Sequence, residues 1–551
     1  METLVGELRR RNEEAKSHRS RLLASWQKVT RYVLPYSGRY YQAERDKSVA
    51  FAPILDNQAA WAHDVLVAGI SAGAFPQSMP WVGIRMKNAP EDQEEEDSGF
   101  GAEYCDSVSD VIHATYSQAN VYPALRHCVS EMSAYGPGCL IVEEHDENVI
   151  HLHKLTAGEY CFERDFDGYV SALFREFVST VGAVVDQFGY DACRQEVQIA
   201  WDAKKYGQEV RLLHVIDERK RRDPSLDDNQ NMPWRSVYID LAGSDTDPPL
   251  RESGYPFMPV LGPRWQVIGS DTYGTSAVLR AMGDISGLQH KHTRVGEAVD
   301  KMTRIATQGP ADVEEVQTMP GSHTRTQGGA RIEPLALPVL PIQYVRELIE
   351  DDRMRIARAL YADVFQAFLG DQRSGVTARE IMARTQEKVQ GMAPVLNNID
   401  HELLRPLVKM TIWFLAQRGM LPQAPPELEG EEMDIEFVSP LFRAMKSEQS
   451  RGTMQLLEMM AQLGTVPGWD HVRDRADVDA AADELRDTFG APARVLKSVR
   501  EVQPVREARA KAIAAQQQMQ AAQQMAGTAK DLAGAEMAPT NALGQLTGAQ
   551  Q

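Results

Sequence analysis

The sequence predicts an α+β chain that is mainly helical, and three observations carry that prediction. Apolar residues recur at helical spacing through most of the 551 residues, as in Trp26, Val29, Tyr32 and Val33. Cys139 to Phe177 instead alternates in the manner of strands (CLIVEE, VIHLHKL, YCFER, YVSALFREF). From Thr377 to about Gln417 the pattern stays helical for roughly 40 residues, about 60 Å at 1.5 Å per residue, far beyond a usual globular helix.

Residues 1–34 predict a charged helix ending near Pro35, and Ile54 to Phe75 a second one closed by Pro76. The acidic run Glu91 to Asp97 reads as a solvated loop. Ala102 to Tyr135 predicts two helices broken near Pro123, and Gly136-Pro137-Gly138 then changes the period. Asp167-Gly168 between two strand patterns signals a hairpin. Two short helices follow within 180–203, with strands at 209–218 and 235–241. The Pro- and Gly-rich stretch Asp247 to Gly274 reads as a boundary.

Ser276 to Ile305 predicts one helix carrying Lys291, His292, Arg294, Lys301 and Arg304. Residues 306–343 are rich in Gly, Pro, Thr and Gln and too long for a simple linker, so they predict a small subdomain or an exposed loop structure. Ile342 to Phe368 is helical again and dense in charge (Arg346, Glu347, Glu350, Asp351, Asp352, Arg353, Arg355, Arg358), with the stripe Val345, Ile349, Ile356 and Leu360. The polar segment Gly370-Asp371-Gln372-Arg373-Ser374-Gly375 precedes the long helix, which opens on the capping box Thr377/Glu380. Pro394 and Pro406 predict kinks in it, and Gly419 a stop. Residues 447–500 look like a small helical bundle with caps near Gly464 and Gly490. From about Arg506 the chain turns Ala/Gln/Met-rich without a stripe of large residues: a helix-prone tail ordered in an oligomer, or a disordered end.

Composition narrows the function. At 43% hydrophobic the chain can bury a large core, yet its longest apolar stretch, Val65 to Phe75, falls short of the about 20 residues a bilayer span needs. The charged N-terminus lacks the apolar core of a signal peptide. Five scattered cysteines without CxxC spacing predict reduced, buried thiols. A net charge of −19 excludes a conventional DNA binder, leaving weak contact or a small local basic patch.

Catalytic patterns fail on context. Gly69-Ile70-Ser71-Ala72-Gly73 fits a nucleophile elbow, but the preceding residues read as helix where a strand is required. No Gly-Lys dipeptide exists, which removes a Walker-type phosphate loop. His151 and His153, with Cys161 nearby, lack a metal-binding spacing, and Asp165-Phe166-Asp167-Gly168 lacks the remaining EF-hand ligands. The chain is therefore expected to be no enzyme, with neither metal nor cofactor.

Four segments carry a resemblance. They are Trp26 to Pro35; Asp56 to Trp81, an aspartate followed by a small-residue helix and Pro-x-x-x-Pro-Trp; Tyr273-Gly274-Thr275-Ser276 with Leu279, Asp284 and Leu288; and Thr377-Ala378-Arg379-Glu380 through Leu404 and Pro406 to Gly419-Met420-Leu421-Pro422 and Ser439-Pro440-Leu441. In their order and spacing the chain resembles the head-to-tail connecting (portal) proteins of short-tailed, podovirus-type bacteriophages. The resemblance implies the portal fold: wing 1–270 (β-rich at 139–265), stem helix 271–305, clip 306–343, second stem helix 344–365, channel loop 366–376, long kinked wing helix and return 377–446, crown 447–505, and a C-terminal barrel helix or tail 506–551.

It further implies a dodecameric ring at one capsid vertex of the virion, assembled in the bacterial host cytoplasm. Double-stranded DNA would pass non-specifically through its channel during packaging and ejection. Implied partners are the terminase large subunit as packaging motor, tail adaptor or nozzle proteins, and major capsid and scaffolding proteins, with no membrane. Gly370 to Gly375 would then touch DNA, Arg325, Arg331, Lys301 and Arg304 would face the clip or lumen, and Arg346, Glu347, Glu350, Arg353, Arg355 and Arg358 would meet a neighbouring subunit. The alternatives are a monomeric or small-oligomer adaptor and a serine hydrolase using Ser71.

Overall fold

The computed structural model describes residues 3–39, 54–86, 98–226, 228–304, 306–309, 316, 324, 331–334, 342–368, 391–424, 433–463, 481–482 and 499–534. Two compact units are present: residues 1–83, 108–422 and 435–449 form the first, and 84–107, 423–434 and 450–551 the second.

In the first unit α1 (Leu4–Tyr32) starts at Thr3, whose Oγ1 accepts the Gly6 amide and so satisfies a donor with no partner inside the helix. α2 (Gln58–Ala74) and β1 (Val82–Met86) follow. α3 (Ser98–Gln118) and α4 (Val121–Tyr135) break at Ala119–Asn120. The break expected at Pro123 is displaced because a proline in the first turn of a helix forfeits no intrahelical bond.

Two antiparallel sheets come next. β2 (Cys139–His145) and β3 (Val149–Leu155) form a hairpin, and β9 (Val260–Leu261) lies on the other side of β2. The larger sheet runs in the order β4 (Tyr160–Arg164), β5 (Val170–Thr180), β6 (Glu209–Glu218), β7 (Trp234–Asp240) and β8 (Arg251–Tyr255). α5 (Val181–Phe188) and α6 (Gln195–Asp202) connect β5 to β6.

Strand alternation sorts the larger sheet's side chains. Phe174, Leu213, Val215, Val237 and Ile239 point to one face and pack with Val5, Leu8 and Ala15 of α1. Val210 and Leu212 point to the other and pack with Val181, Val184 and Val185 of α5 and Val197 and Ala200 of α6. The stretch 247–274, expected as a boundary, instead supplies β8 and β9, an edge strand for each sheet, and stays inside the first unit. Its strands are two and five residues long among prolines and glycines, too short to show a period.

α7 (Ala277–Thr303) is followed by the short pair β10 (Thr307–Gln308) and β11 (Glu333–Pro334), the described part of 306–343. The single helix expected over 342–368 is two, α8 (Ile342–Ala359) and α9 (Ala362–Phe368), separated at Tyr361 with φ +55°. The break lets Leu360, Ala362, Val364 and Phe365 all be buried. Phe365 seats on Gly69 of α2, where an added Cβ would lie 2.1 Å from its ring.

The long helix is described from its second half: α10 (Ala393–Ile399), a π-helical turn Asp400–Leu404, and α11 (Arg405–Gln417). Its capping box at Thr377 lies outside the described residues. Pro394 and Pro406 each fall in the first turn of a helical segment. Pro406 has no amide to offer the backbone; just before it the path widens, and Arg405 N donates to Asp400 O across five residues. Gly419, at φ +62°, terminates the run.

β12 (Met433–Phe437) pairs with β1. α12 (Pro440–Leu463) already begins at Pro440, earlier than the bundle expected from 447, whose caps Gly464 and Gly490 lie outside the described residues. In the second unit α13 (Val499–Gly534) is a 36-residue helix with Val505, Ile513, Met519 and Met525 all about half-exposed or more. All five cysteines are buried, and none is in a disulfide. Among the described residues no helix is long and apolar enough to cross a membrane.

The Gly69–Phe365 contact yields a test. Gly69→Ala forces Phe365 from its seat and should lower unfolding free energy by about 2 kcal/mol, in the range of overpacked cores. Combining it with Phe365→Leu should recover part of that loss, measured as denaturant midpoints; purely additive losses would mean that the contact is not limiting.

Candidate functional site

α7 begins at Ser276, whose Oγ accepts the Leu279 amide at 3.0 Å and donates to Ala134 O at 2.7 Å. Asp284 lies opposite Arg355 and Lys291 opposite Asp352, so α7 and α8 run antiparallel. Burial along this pair is one-ended. On α7 the last buried residue is Gln289, and on α8 the first is Ile349. The remaining stretch of α7, about 21 Å at 1.5 Å per residue, contains no buried residue, and Val299, Met302 and Tyr344 are 44%, 50% and 59% exposed. An apolar-studded helix pair without a cover among the described residues is an incomplete core.

At the point where burial ends sits Asp56, itself buried. Its carboxylate meets Arg353 Nε and Nη2, each at 2.9 Å, and His292 Nε2 at 2.9 Å, and it accepts the Gln58 amide at 2.8 Å. Gln289 Nε2 donates to Asp56 O, while Gln289 Oε1 accepts the amides of Leu55 and Asp56. A second layer joins Lys291 Nζ to the buried Asp352 at 2.6 Å. One carboxylate thus ties segment 54–58, α7 and α8 together.

A second ionic lock holds the long helix. Glu402, in the π turn, accepts the backbone amide of Arg264 at 2.9 Å and pairs with its buried guanidinium. Asn398 of α10 donates to Arg264 O at 3.1 Å.

The residues singled out from sequence distribute as follows. Lys301 and Arg304 are exposed at the end of α7, and Arg331 is exposed beside β11. Arg325 and Gly370 to Gly375 lie outside the described residues. On α8, Arg346, Glu347 and Arg358 are exposed, without an ion-pair partner among the described residues. Glu350 pairs with Arg353 at 2.6 Å, and Arg353 turns to Asp56 of its own chain. Arg355 reaches Asp351 at 3.4 Å and Asp284 at 4.0 Å, also within the chain.

Ser71 lies inside α2 and donates to Val67 O at 2.7 Å, so the strand that a nucleophile elbow needs is replaced by helix. His153 bonds Glu143, Cys161 belongs to the other sheet, and among the described residues no His/Cys/Asp/Glu group could hold a metal. Asp165 Oδ1 accepts the Tyr169 amide at 2.8 Å, as a hairpin turn requires.

The sequence pattern of the family described as "Bacteriophage head to tail connecting protein" matches residues 5–496. The chain belongs to that family. It is a phage head-to-tail connector. It is 33% identical over 552 residues to the "Probable portal protein" of Bordetella phage BPP-1, covering 98% of this chain and 96% of that relative. It is 27% identical to the "Portal protein" of Salmonella phage epsilon15, covering 97% and 96%. A chain in the solved virion of a native gene transfer agent particle aligns with 83% of this chain and 97% of its own length at 12% identity, with a TM-score of 0.34.

In the connector's sequence Asp56 stands out only as part of a family segment, and nothing there marks Gln289, Arg264 or Glu402. Their partners lie far away along the chain, and neither spacing nor periodicity reports such a distance.

Asp56→Ala should lower unfolding free energy by about 2 kcal/mol, because it removes the buried carboxylate on which Arg353, His292 and the Gln58 amide converge. Asp56→Asn, which retains hydrogen bonds, should cost less. Denaturant titrations check this; equal losses in the two variants would place the energy in charge alone.

Proposed function

We propose that twelve copies close into a ring at one capsid vertex and enclose the channel through which double-stranded DNA enters and leaves. The observation that carries this reading is the uncovered α7–α8 pair in a chain of the connector family. A head-to-tail interface closes into a ring when its rotation closes. The exposed Val299, Met302 and Tyr344 would supply apolar contact there, and Arg346, Glu347 and Arg358 the charges that fix its register. α13 supports the same reading: an isolated helix gains little stability without packing, and neighbouring copies would supply a buried face.

Electrostatics suits passage over grip. Each Lys or Arg that meets a phosphate releases counterions and holds the duplex. A charge of −19 per chain, repeated around a ring, repels phosphate and keeps DNA centred. Lys301, Arg304, Arg325, Arg331 and Arg373 would give brief contacts. Gly370 and Gly375 would hinge the segment between them, which touches DNA and resists back-slippage. Residues 306–343 would receive the packaging motor, the terminase large subunit, and the tail adaptor or nozzle proteins. Capsid and scaffolding proteins would surround the ring during assembly in the host cytoplasm.

Electron microscopy of the purified protein should show rings of about twelve copies with an open centre, and uniform monomers would overturn the proposal. Deleting Asp371 to Ser374 should leave rings intact while reducing retention of packaged DNA. Normal retention in full rings would remove the segment from that role.

A further inference from the structure

Four of the chain's thirteen histidines meet at one place outside the α7–α8 region. On the β2–β3 hairpin, register pairs Glu143 with His151 and Ile141 with His153. Strand alternation therefore puts Glu143, His145, His151 and His153 on one face. The rings of His145 and His151 lie 5.8 Å apart, and those of His151 and His153 4.8 Å apart.

That face meets the larger sheet through hydrogen bonds. His153 Nε2 lies 2.9 Å from Glu143 Oε2, and Tyr255 of β8 donates to Glu143 Oε1 at 3.1 Å. Tyr255 is also close enough to Ser236 of β7 to feel its hydroxyl, and that Oγ lies 3.0 Å from Nε2 of the buried His214 on β6. Polar groups thus follow one another from a partly exposed imidazole on one sheet to a buried one on the other. His214 stacks on Tyr238 at 3.9 Å, and its Nδ1 is buried without a partner.

The surrounding charges are unbalanced in one direction. Register aligns Arg175, His214, Tyr238 and Arg251 across the larger sheet, and Lys154 lies close to His151. Glu159 pairs with Arg175, so Glu143 is the carboxylate that serves the histidines. A proton on His214 or His151 adds a cation where burial, and then neighbouring cationic groups, already disfavour it.

We propose that this seam between the two sheets is an acid-sensitive joint, closed when His151 and His214 are neutral and opened by their protonation.

The direction of the effect follows from the environment. Burial, then the nearby Arg175, holds His214 at about 3. Burial, then His153 and His145, lowers His151. The opened joint binds protons near the ordinary value of about 6.5. Closure is therefore complete above about 6.5 and weakens as pH falls below it. Burial opposes the charge on Glu143, but its hydrogen bonds with His153 and Tyr255 outweigh it and hold the carboxyl at about 2. Its own contribution is present above the ordinary carboxylate value and is lost only as pH falls toward about 2, so the histidines act first.

Hydrogen–deuterium exchange of the full-length protein at pH 7.5 and 5.0, corrected for intrinsic rates, tests this. His214 alone should raise opening of segments 139–155 and 209–255 by roughly 30-fold at pH 5.0. Segment 393–417 should stay protected, and returning to pH 7.5 should reverse the change. Raising salt at pH 5.0 should restore protection by screening the imidazolium charges. His151→Asn, at a partly exposed ring, should reduce the response, and adding His214→Asn should remove most of what remains. Unchanged protection at pH 5.0, indifference to salt, or full acid sensitivity in folded His151→Asn would each overturn the proposal. None of these readouts depends on ring formation.

Discussion

A carboxylate removed from water must find cations and donors, and Asp56 finds them on three separate pieces of chain. Arg353, His292 and the Gln58 amide converge on that charge, while Gln289 holds the backbone that carries it. The ionic layer lies where the apolar packing of α7 on α8 stops. Apolar contact tolerates sliding of one helix along another, whereas a hydrogen-bonded charge has one best position. Asp56 therefore fixes the register of the pair, and so the direction in which its uncovered half leaves the core.

The same logic explains why the family resemblance was visible in four scattered segments. Trp26 donates from Nε1 to Tyr135 O at 2.8 Å and meets the Tyr273 ring edge-on at 5.7 Å. Gly274, at φ +71°, leaves 2.6 Å between a notional Cβ and Gln266 O, which excludes any side chain. Gly73 of α2 sits under Leu441, and Trp81 stacks on Phe437 and Tyr116. These residues are joints where distant segments touch. Their identity is constrained by contact, so they keep a recognisable order along the chain.

Helices and hairpins with strong local signals were legible: α1 through Trp26 and Val29, α7 through its Ser276 cap, and the β4–β5 hairpin through Asp167-Gly168. What escaped was set by tertiary contact. The turn at Tyr361 exists because Phe365 has a glycine seat waiting on α2, and β9 exists because β2 has a free edge. Of the candidate site, the charge of α8 was visible, but the division between Arg353, turned inward, and Arg346, left outside, was not. Both are arginines on one helix, and only the position of Asp56 distinguishes them.

The π turn at Asp400–Leu404 has a consequence for how this helix tolerates change in length. A π-helical turn takes up one residue more per hydrogen-bonded ring than an ordinary one, and each residue advances a helix by about 100°. The phase of everything downstream, including buried Leu407, Val408, Thr411, Phe414 and Leu415, therefore depends on that extra residue. Losing one residue there would convert the turn to ordinary helix and swing Glu402 off Arg264, without altering any side chain in the apolar face. The turn works as a stored insertion, and the reading frame of the long helix against the β-rich core is counted from it.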